Sequence, residues 1–268
     1  MKILQCQTHV SEDKKANLDQ MRGCFEEAAR CGADLITFGE MFTCPYETKR
    51  FPLYAEEEGG ESFTHFAQLA REYGILVSAG SIPEKAAAED GKTAVYNTAY
   101  VFDRTGQILA KHRKMHLFDI AVRGGQAFRE SETLTGGKQV TVFDTEFGRM
   151  GLCVCFDLRF PGLFLEMARK GAVLVLVPAA FNPTTGPAHW ELLFRARALD
   201  NQCFLIGTSP AQDPAASYHA YGHSIITDPW GTVLSQTDEK AGTVLTEIDL
   251  ARVQEIREQL PVLSAAKI

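Results

Sequence analysis

The chain has 268 residues, 45% of them hydrophobic and 23% charged, which is the make-up of a folded protein with a sizeable core and not of a disordered one. Its formal charge of −7 argues against nucleic acid as a partner, because neutralising phosphates needs a positive surface. No apolar run approaches the roughly 20 residues that span a bilayer; the longest, Ala172–Ala180, has the length of a strand. Met1–Gln5 moves straight into a strand-like pattern without the apolar stretch of a signal peptide. The expectation is one α/β domain over residues 1–268, in the cytoplasm, with no membrane partner.

Periodicity then sets out the elements in order. Lys2–Gln5 reads as a strand, Leu18–Cys31 as an amphipathic helix stopped by Gly32-Ala33, and Leu35–Phe38 as the next strand, a β-α-β start. Ser62–Tyr73 reads as a helix and Ile75–Ala79 as the strand that follows, and the right-handed crossover rule makes a sheet under a helical layer the natural outcome. Tyr96–Phe102 and Gln107–His112 flank the turn Asp103-Arg104-Thr105-Gly106. Met150–Val154 is a strand, Leu163–Arg169 a helix, Val173–Val177 a buried strand, His189–Asn201 a helix and Phe204–Gly207 a strand. His223–Thr227 and Thr232–Ser235 flank Asp228-Pro229-Trp230-Gly231, which repeats the earlier Asp-x-x-Gly turn. Gly171-Ala172-Val173-Leu174 likewise repeats Gly32-Ala33-Asp34-Leu35, at a different offset. This is a loose pointer to two pseudo-equivalent halves, and two sheets each covered by helices would accommodate all the elements.

Seven cysteines, Cys6, Cys24, Cys31, Cys44, Cys153, Cys155 and Cys203, are odd in number and scattered, so most are expected to be reduced and to serve as small core residues. Three polar residues stand where apolar strands end: Glu40, Lys114 and Cys155. Ligands in open α/β sheets bind at the carboxyl ends of strands. A cysteine can attack a carbonyl, a carboxylate can take its proton, and a fixed cation can hold the resulting oxyanion. Each also has an ordinary reading, as core packing for the cysteine and as solvated surface for the two charges.

The phrase Gly151-Leu152-Cys153-Val154-Cys155-Phe156-Asp157-Leu158-Arg159-Phe160-Pro161 resembles the nucleophile segment of the nitrilase (carbon-nitrogen hydrolase) superfamily. The resemblance extends to Glu40 in Phe38-Gly39-Glu40-Met41-Phe42 and to Lys114 in His112-Arg113-Lys114-Met115-His116-Leu117-Phe118-Asp119, and it covers nearly the whole chain. It implies a Glu40-Lys114-Cys155 triad, no cofactor and no metal. Cys153 falls outside the nucleophile position, and a Cys-x-Cys metal site lacks nearby ligands to complete it, so Cys153 is expected in the core. The resemblance also implies a four-layer α-β-β-α sandwich that pairs as a homodimer into eight layers. Relatives often continue into a basic tail, whereas this chain stops at Pro261–Ile268. Within the superfamily, Phe181-Asn182-Pro183-Thr184-Thr185-Gly186-Pro187-Ala188-His189-Trp190-Glu191 leans toward the omega-amidase branch. That branch hydrolyses the terminal amide of 2-oxoglutaramate or 2-oxosuccinamate, a small-molecule amide partner.

A thiol with an ordinary pKa near 8.5 needs help at neutral pH. The mechanism expected has Glu40 as base, Lys114 holding the thiolate and then the oxyanion, and the Phe156 backbone N–H as a second donor if Cys155 sits on a tight strand-to-helix turn. Glu130 matches a second glutamate that orients Lys114 or positions the amide in related enzymes. Arg159 offers a planar fork for a distal carboxylate, against the alternative of a structural pair with Asp157. Tyr46 matches a substrate-facing tyrosine, or else a loop aromatic over the core. Phe181 and Thr185 are further pocket candidates, while His116 and His189 are read as structural. Alternatives are a deaminated glutathione amidase, an N-carbamoyl amidohydrolase, or a catalytically silent scaffold, which would have lost part of the triad.

Overall fold

A computed structural model describes residues 1–267; Ile268, the last residue of the tail segment noted above, lies outside them. The first half contains β1 (Lys2–Gln7), α1 (Lys14–Cys31), β2 (Leu35–Thr37), α2 (Phe51–Tyr54), α3 (Glu61–Tyr73), β3 (Leu76–Ala87), β4 (Thr93–Phe102) and β5 (Ile108–Arg113). A short hairpin, β6 (Asp119–Ala121) and β7 (Ala127–Arg129), leads into the second half. There β8 (Thr141–Thr145), β9 (Gly148–Leu152), α4 (Pro161–Arg169), β10 (Leu174–Pro178), α5 (Gly186–Asn201), β11 (Phe204–Thr208), β12 (Ile225–Thr227) and β13 (Val233–Gln236) follow in turn. β14 (Gly242–Glu247), α6 (Ala251–Gln259) and α7 (Val262–Ala265) complete the order.

Side-chain alternation along the strands decides how these elements stack. In β1, β2 and β3, the residues Ile3, Leu35 and Leu76 point into one buried cluster and their neighbours Leu4, Ile36 and Val77 into another. Strands apolar on both faces need cover on both. One face meets Leu18, Met21 and Phe25 of α1 and Phe66 and Leu69 of α3. The other meets a second sheet, through Met150, Leu152, Leu174, Leu176 and Phe204, which is backed by Phe164 and Met167 of α4 and Trp190 and Phe194 of α5. The result is a four-layer α-β-β-α sandwich around a shared inter-sheet core. Polar groups also cross that core: Gln5 Nε2 donates to Gly207 O at 2.8 Å, and the Thr37 and Thr208 hydroxyls lie 2.7 Å apart.

The hint of two halves is realised in the topology. One sheet runs β14-β1-β2-β3-β4-β5 and the other β8-β9-β10-β11-β12-β13. Each begins with an antiparallel strand, continues with three parallel ones and ends with two antiparallel ones. The repeated turns match in detail. Asp103 N donates to Gln107 O at 2.8 Å and Asp228 N to Thr232 O at 2.9 Å, and the turn glycines Gly106 and Gly231 take φ of 78° and 81°, a left-handed conformation that suits glycine.

Several boundaries differ from the sequence reading. α1 starts at Lys14 and not at Leu18, because the Asp13 carboxylate caps it by accepting from Ala16 N at 3.1 Å. β3 runs eight residues past Ala79, to Ala87, through a bulge between Ser78 and Ser81. His223 takes φ of 59° and lies outside β12. The short strands β6, β7, β8 and β14 carry too little apolar pattern to stand out. Among the described residues, no helix is long and apolar enough to cross a membrane.

Candidate active site

Glu40, Lys114 and Cys155 each lie just beyond the carboxyl end of a strand, β2, β5 and β9 respectively. The strands come from both sheets, so the site sits on the seam between them. Glu40 is held by an unusually close backbone approach. A Cβ on Gly80, which takes φ of 63°, would lie 2.2 Å from Gly39 O, and one on Gly39 would lie 2.7 Å from Pro210. Ser81 N donates to Gly39 O at 3.2 Å, and Met41 N donates to Ser81 Oγ at 3.1 Å. Glycine at both positions allows the bulge of β3 to grip the chain on either side of Glu40.

Cys155 takes φ of 45°, a left-handed conformation that costs a non-glycine residue about 1 kcal/mol. It opens a single 3₁₀ turn, Cys155–Arg159, that follows the extended Val154. The thiol is thereby placed on a sharp strand-to-helix elbow and is 3% exposed. Phe156 N, at the start of this turn, is among the amide groups that a helix leaves free for an incoming anion. Such strained positions cluster where function requires them.

The polar groups converge as the strand ends suggested. Lys114 Nζ donates to Glu40 Oε1 at 2.8 Å and to Glu130 Oε1 at 2.9 Å, with all three side chains fully buried. The Tyr46 hydroxyl lies 2.6 Å from Glu130 Oε1 and 3.0 Å from Glu40 Oε1. Asn97 Nδ2 donates to Glu40 Oε1 at 2.7 Å, and Phe118 N donates to Glu130 Oε2 at 2.6 Å. Glu40 Oε1 is thus crowded with donors, whereas Oε2 is buried with no partner among the described residues.

The electrostatics follow from this packing. Burial alone would strip Lys114 of its proton, but Glu130 and Glu40 reverse that and hold its pKa well above the ordinary lysine value, so it stays a cation. Burial, with Glu40 adding to it, raises the Glu130 carboxyl. Burial and the charge of Glu40 also raise the Cys155 thiol well above its usual range, against the pull of Lys114. Cys155 is therefore held as a thiol beside the Glu40 carboxylate.

The remaining candidates fall in different places. Tyr46 is not a passive cover: its hydroxyl belongs to the carboxylate cluster, and its ring stacks on Tyr218 at 4.5 Å. Arg159 is not paired with Asp157, which is taken up by His112 and His116. Its guanidinium lies over the rings of Phe181, at 4.9 Å, and Phe156, at 5.5 Å, and Nη1 donates to His189 Nδ1 at 3.1 Å. No carboxylate of the described residues meets it, and burial lowers its pKa. Thr185 turns inward, its N and Oγ1 both donating to Asn182 Oδ1, where it shapes the start of α5. Cys153 is fully buried in the inter-sheet core. His116 stacks on Phe160 at 3.5 Å and belongs to the framework, whereas His189 faces Arg159. Sequence reasoning missed Asn97 and Tyr218. An asparagine inside the apolar stretch of β4 was the available signal, since such a residue is disfavoured in strands.

A pocket of about 460 Å³ opens beside Glu40, Tyr46 and Tyr218, with Glu12, Glu47 and Asp213 in its lining. Its acidic wall does not suit an anion, and Cys155 and Arg159 do not line it. The tip of the β6–β7 hairpin meets the segment after β10, with Asn182 Nδ2 donating to Gln126 Oε1.

The profile of the family described as carbon-nitrogen hydrolase matches residues 3–258. The chain belongs to the carbon-nitrogen hydrolase family. Among curated proteins it is 46% identical to omega-amidase NIT2 of Bos taurus, over 96% of this chain and 92% of that one. Among solved structures it is similar to Saccharomyces cerevisiae Nit3, a member of branch 10 of the nitrilase superfamily, with 36% identity, a TM-score of 0.90, and coverage of 100% of this chain and 97% of that one. It is also similar to a glutamate-to-glutamine mutant of the amidase from Nesterenkonia sp. AN1, with 25% identity, a TM-score of 0.78, and coverage of 97% and 98%. In that structure acrylamide has added to the active-site cysteine. The chain is therefore a hydrolase of carbon–nitrogen bonds built on the nitrilase fold.

Proposed function

We propose that the protein is a thiol amidase of the omega-amidase type, releasing ammonia from the terminal amide of a small dicarboxylic acid monoamide such as 2-oxoglutaramate or 2-oxosuccinamate. The observation that carries this reading is the buried Lys114 held between Glu40 and Glu130, next to a protonated Cys155 and the unpartnered Oε2 of Glu40. Glu40 Oε2 accepts the thiol proton as sulfur attacks the amide carbon, and the carbonyl oxygen becomes an oxyanion. Lys114 Nζ and Phe156 N–H stabilise it. Glu40 returns the proton to the nitrogen, the C–N bond breaks, and ammonia leaves an acyl thioester on Cys155. Glu40 then takes a proton from water, hydroxide equivalent adds to the thioester, and the C–S bond breaks to give the acid and the free thiol. Glu130 and Tyr46 hold Lys114 and Glu40 in register for both halves.

The omega-amidase assignment draws on the relatives' names and on Arg159, a half-buried fork that meets no carboxylate of the described residues, suited to the far carboxylate of the substrate. The Phe181 and Phe156 rings lie against the Arg159 guanidinium. The test is ammonia release from 2-oxoglutaramate, deaminated glutathione and a simple aliphatic amide, with Cys155→Ala as the blank. Turnover of 2-oxoglutaramate should lead and should vanish in Cys155→Ala. Arg159→Met should raise its KM about tenfold or more and leave the simple amide little changed. A fully active Cys155→Ala variant, or no turnover of 2-oxoglutaramate, would sink the proposal.

We also propose that two copies pair. The outer face of α5 leaves Leu192 65% and Leu199 45% exposed, with Trp230 at 51% on the adjoining turn, an apolar patch of the kind that marks an interface. Sedimentation should give twice the chain mass, and Leu192→Glu should halve it; a monomer at every concentration would exclude the pairing. Seven unpaired cysteines fit a reducing compartment such as the cytoplasm.

A further inference from the structure

Asp157 lies two residues past the nucleophile and takes no part in the chemistry above, yet its fully buried carboxylate gathers five donors. Oδ1 accepts from His116 N at 2.9 Å and His116 Nδ1 at 2.7 Å. Oδ2 accepts from His112 Nε2 at 3.0 Å, Val154 N at 3.1 Å and Met115 N at 3.4 Å. Two of these donors are the backbone amides next to the reacting residues: Val154 immediately precedes Cys155, and Met115 immediately follows Lys114. The two segments leave different sheets, β9 in one and β5 in the other. His112 carries the tie further, its Nδ1 lying 2.9 Å from Thr141 Oγ1 on β8.

We infer that Asp157 is the positioning residue of the site, a clamp that fixes the Cys155 elbow against Lys114 by binding the backbone one residue away from each. This rests on the reading of Cys155 as nucleophile. The chemistry of the group suits the role. A carboxylate offers only acceptors, so it can satisfy converging amide and imidazole donors from two chain segments at once. Burial opposes its charge, but hydrogen bonds from His112 and His116 hold its carboxyl well below the usual range. A filler of the same shape with a donor face would not serve. The amide of asparagine would turn its NH₂ toward either the His116 pair or the Val154, Met115 and His112 group, leaving buried donors facing a donor. A displacement of about 1 Å at such a site can cost about 100-fold in rate.

The experiment compares Asp157→Asn with wild type in ammonia release, in the pH profile of iodoacetamide alkylation at Cys155, and in thermal unfolding. The expected result is a kcat lower by about 10- to 100-fold, KM within about twofold, and alkylation moved to higher pH as Lys114 drifts from the thiol. A role in fold stability alone would lower the melting temperature and leave kcat and the alkylation profile of the folded fraction unchanged, and that outcome overturns the inference. Should Asp157→Asn fail to fold, His116→Ala, which removes the one imidazole that is partly exposed, decides in its place. It should lower kcat about 3- to 10-fold at constant KM, and an unchanged kcat overturns the inference. An active Cys155→Ala variant would instead mark failure of the nucleophile assignment, so the two failures are distinct.

Discussion

Two buried carboxylate clusters meet at Cys155, and they are satisfied to opposite degrees. Asp157 takes donors on both oxygens. Glu40 takes two on Oε1, from Lys114 and Asn97, with the Tyr46 hydroxyl 3.0 Å away but nearer to Glu130, and none on Oε2. An unpaired buried acceptor costs about 1–3 kcal/mol, and native proteins seldom keep one without a use. On the proposed mechanism the contrast separates holding from reacting: a saturated carboxylate has nowhere to put a proton and stays as fixed framework, whereas a half-saturated one keeps an oxygen for the thiol proton. The same distinction explains why Glu130, bonded by Lys114, Tyr46 and Phe118 N, is better placed to support than to react.

The sharpest way to break this comparison is to remove each charge at the half-saturated site. Glu40→Gln and Lys114→Met should each lower kcat by about 1,000-fold or more, but should move the thiol in opposite directions. Glu40 raises the Cys155 pKa and Lys114 lowers it. Losing the anion therefore shifts iodoacetamide alkylation to lower pH, and losing the cation shifts it to higher pH. If both variants move it the same way, Glu40 is not the group facing sulfur. A smaller effect is expected for Tyr46→Phe, which deletes one hydroxyl between two carboxylates: kcat should fall about tenfold and stability by about 1 kcal/mol, read from steady-state rates and denaturant melts. A Tyr46→Phe variant with full activity would show that the hydroxyl serves packing alone.

How far the sequence could lead is visible in particular residues. Glu40, Lys114 and Cys155 stand out only weakly as polar side chains at the ends of apolar strands; the resemblance of their three segments to the nitrilase superfamily is what groups them into one site. The twofold design was legible in the paired Asp-x-x-Gly turns, since that turn demands an aspartate and a left-handed glycine wherever it occurs. Asn97 was hidden because one asparagine in β4 says nothing about which carboxylate lies across the sheet. That Asp157 is not the partner of Arg159 depends on two histidines, one of them 45 residues from Asp157 in the chain, and no local pattern encodes that. The grip of Gly80 on Gly39 was hidden for the same reason.

The equivalence of the two sheets carries a consequence for how the protein fails. Glu40 and Lys114 come from one sheet and Cys155 from the other, so on the proposed mechanism neither half contains a reaction centre and the distance between halves is itself a catalytic variable. Any loosening that lets the sheets slide by a fraction of a residue would extinguish turnover while leaving the helices and strands intact. Activity is thus a finer gauge of inter-sheet register than any measure of secondary structure. In a heating series, ammonia release should disappear before the far-ultraviolet circular dichroism changes.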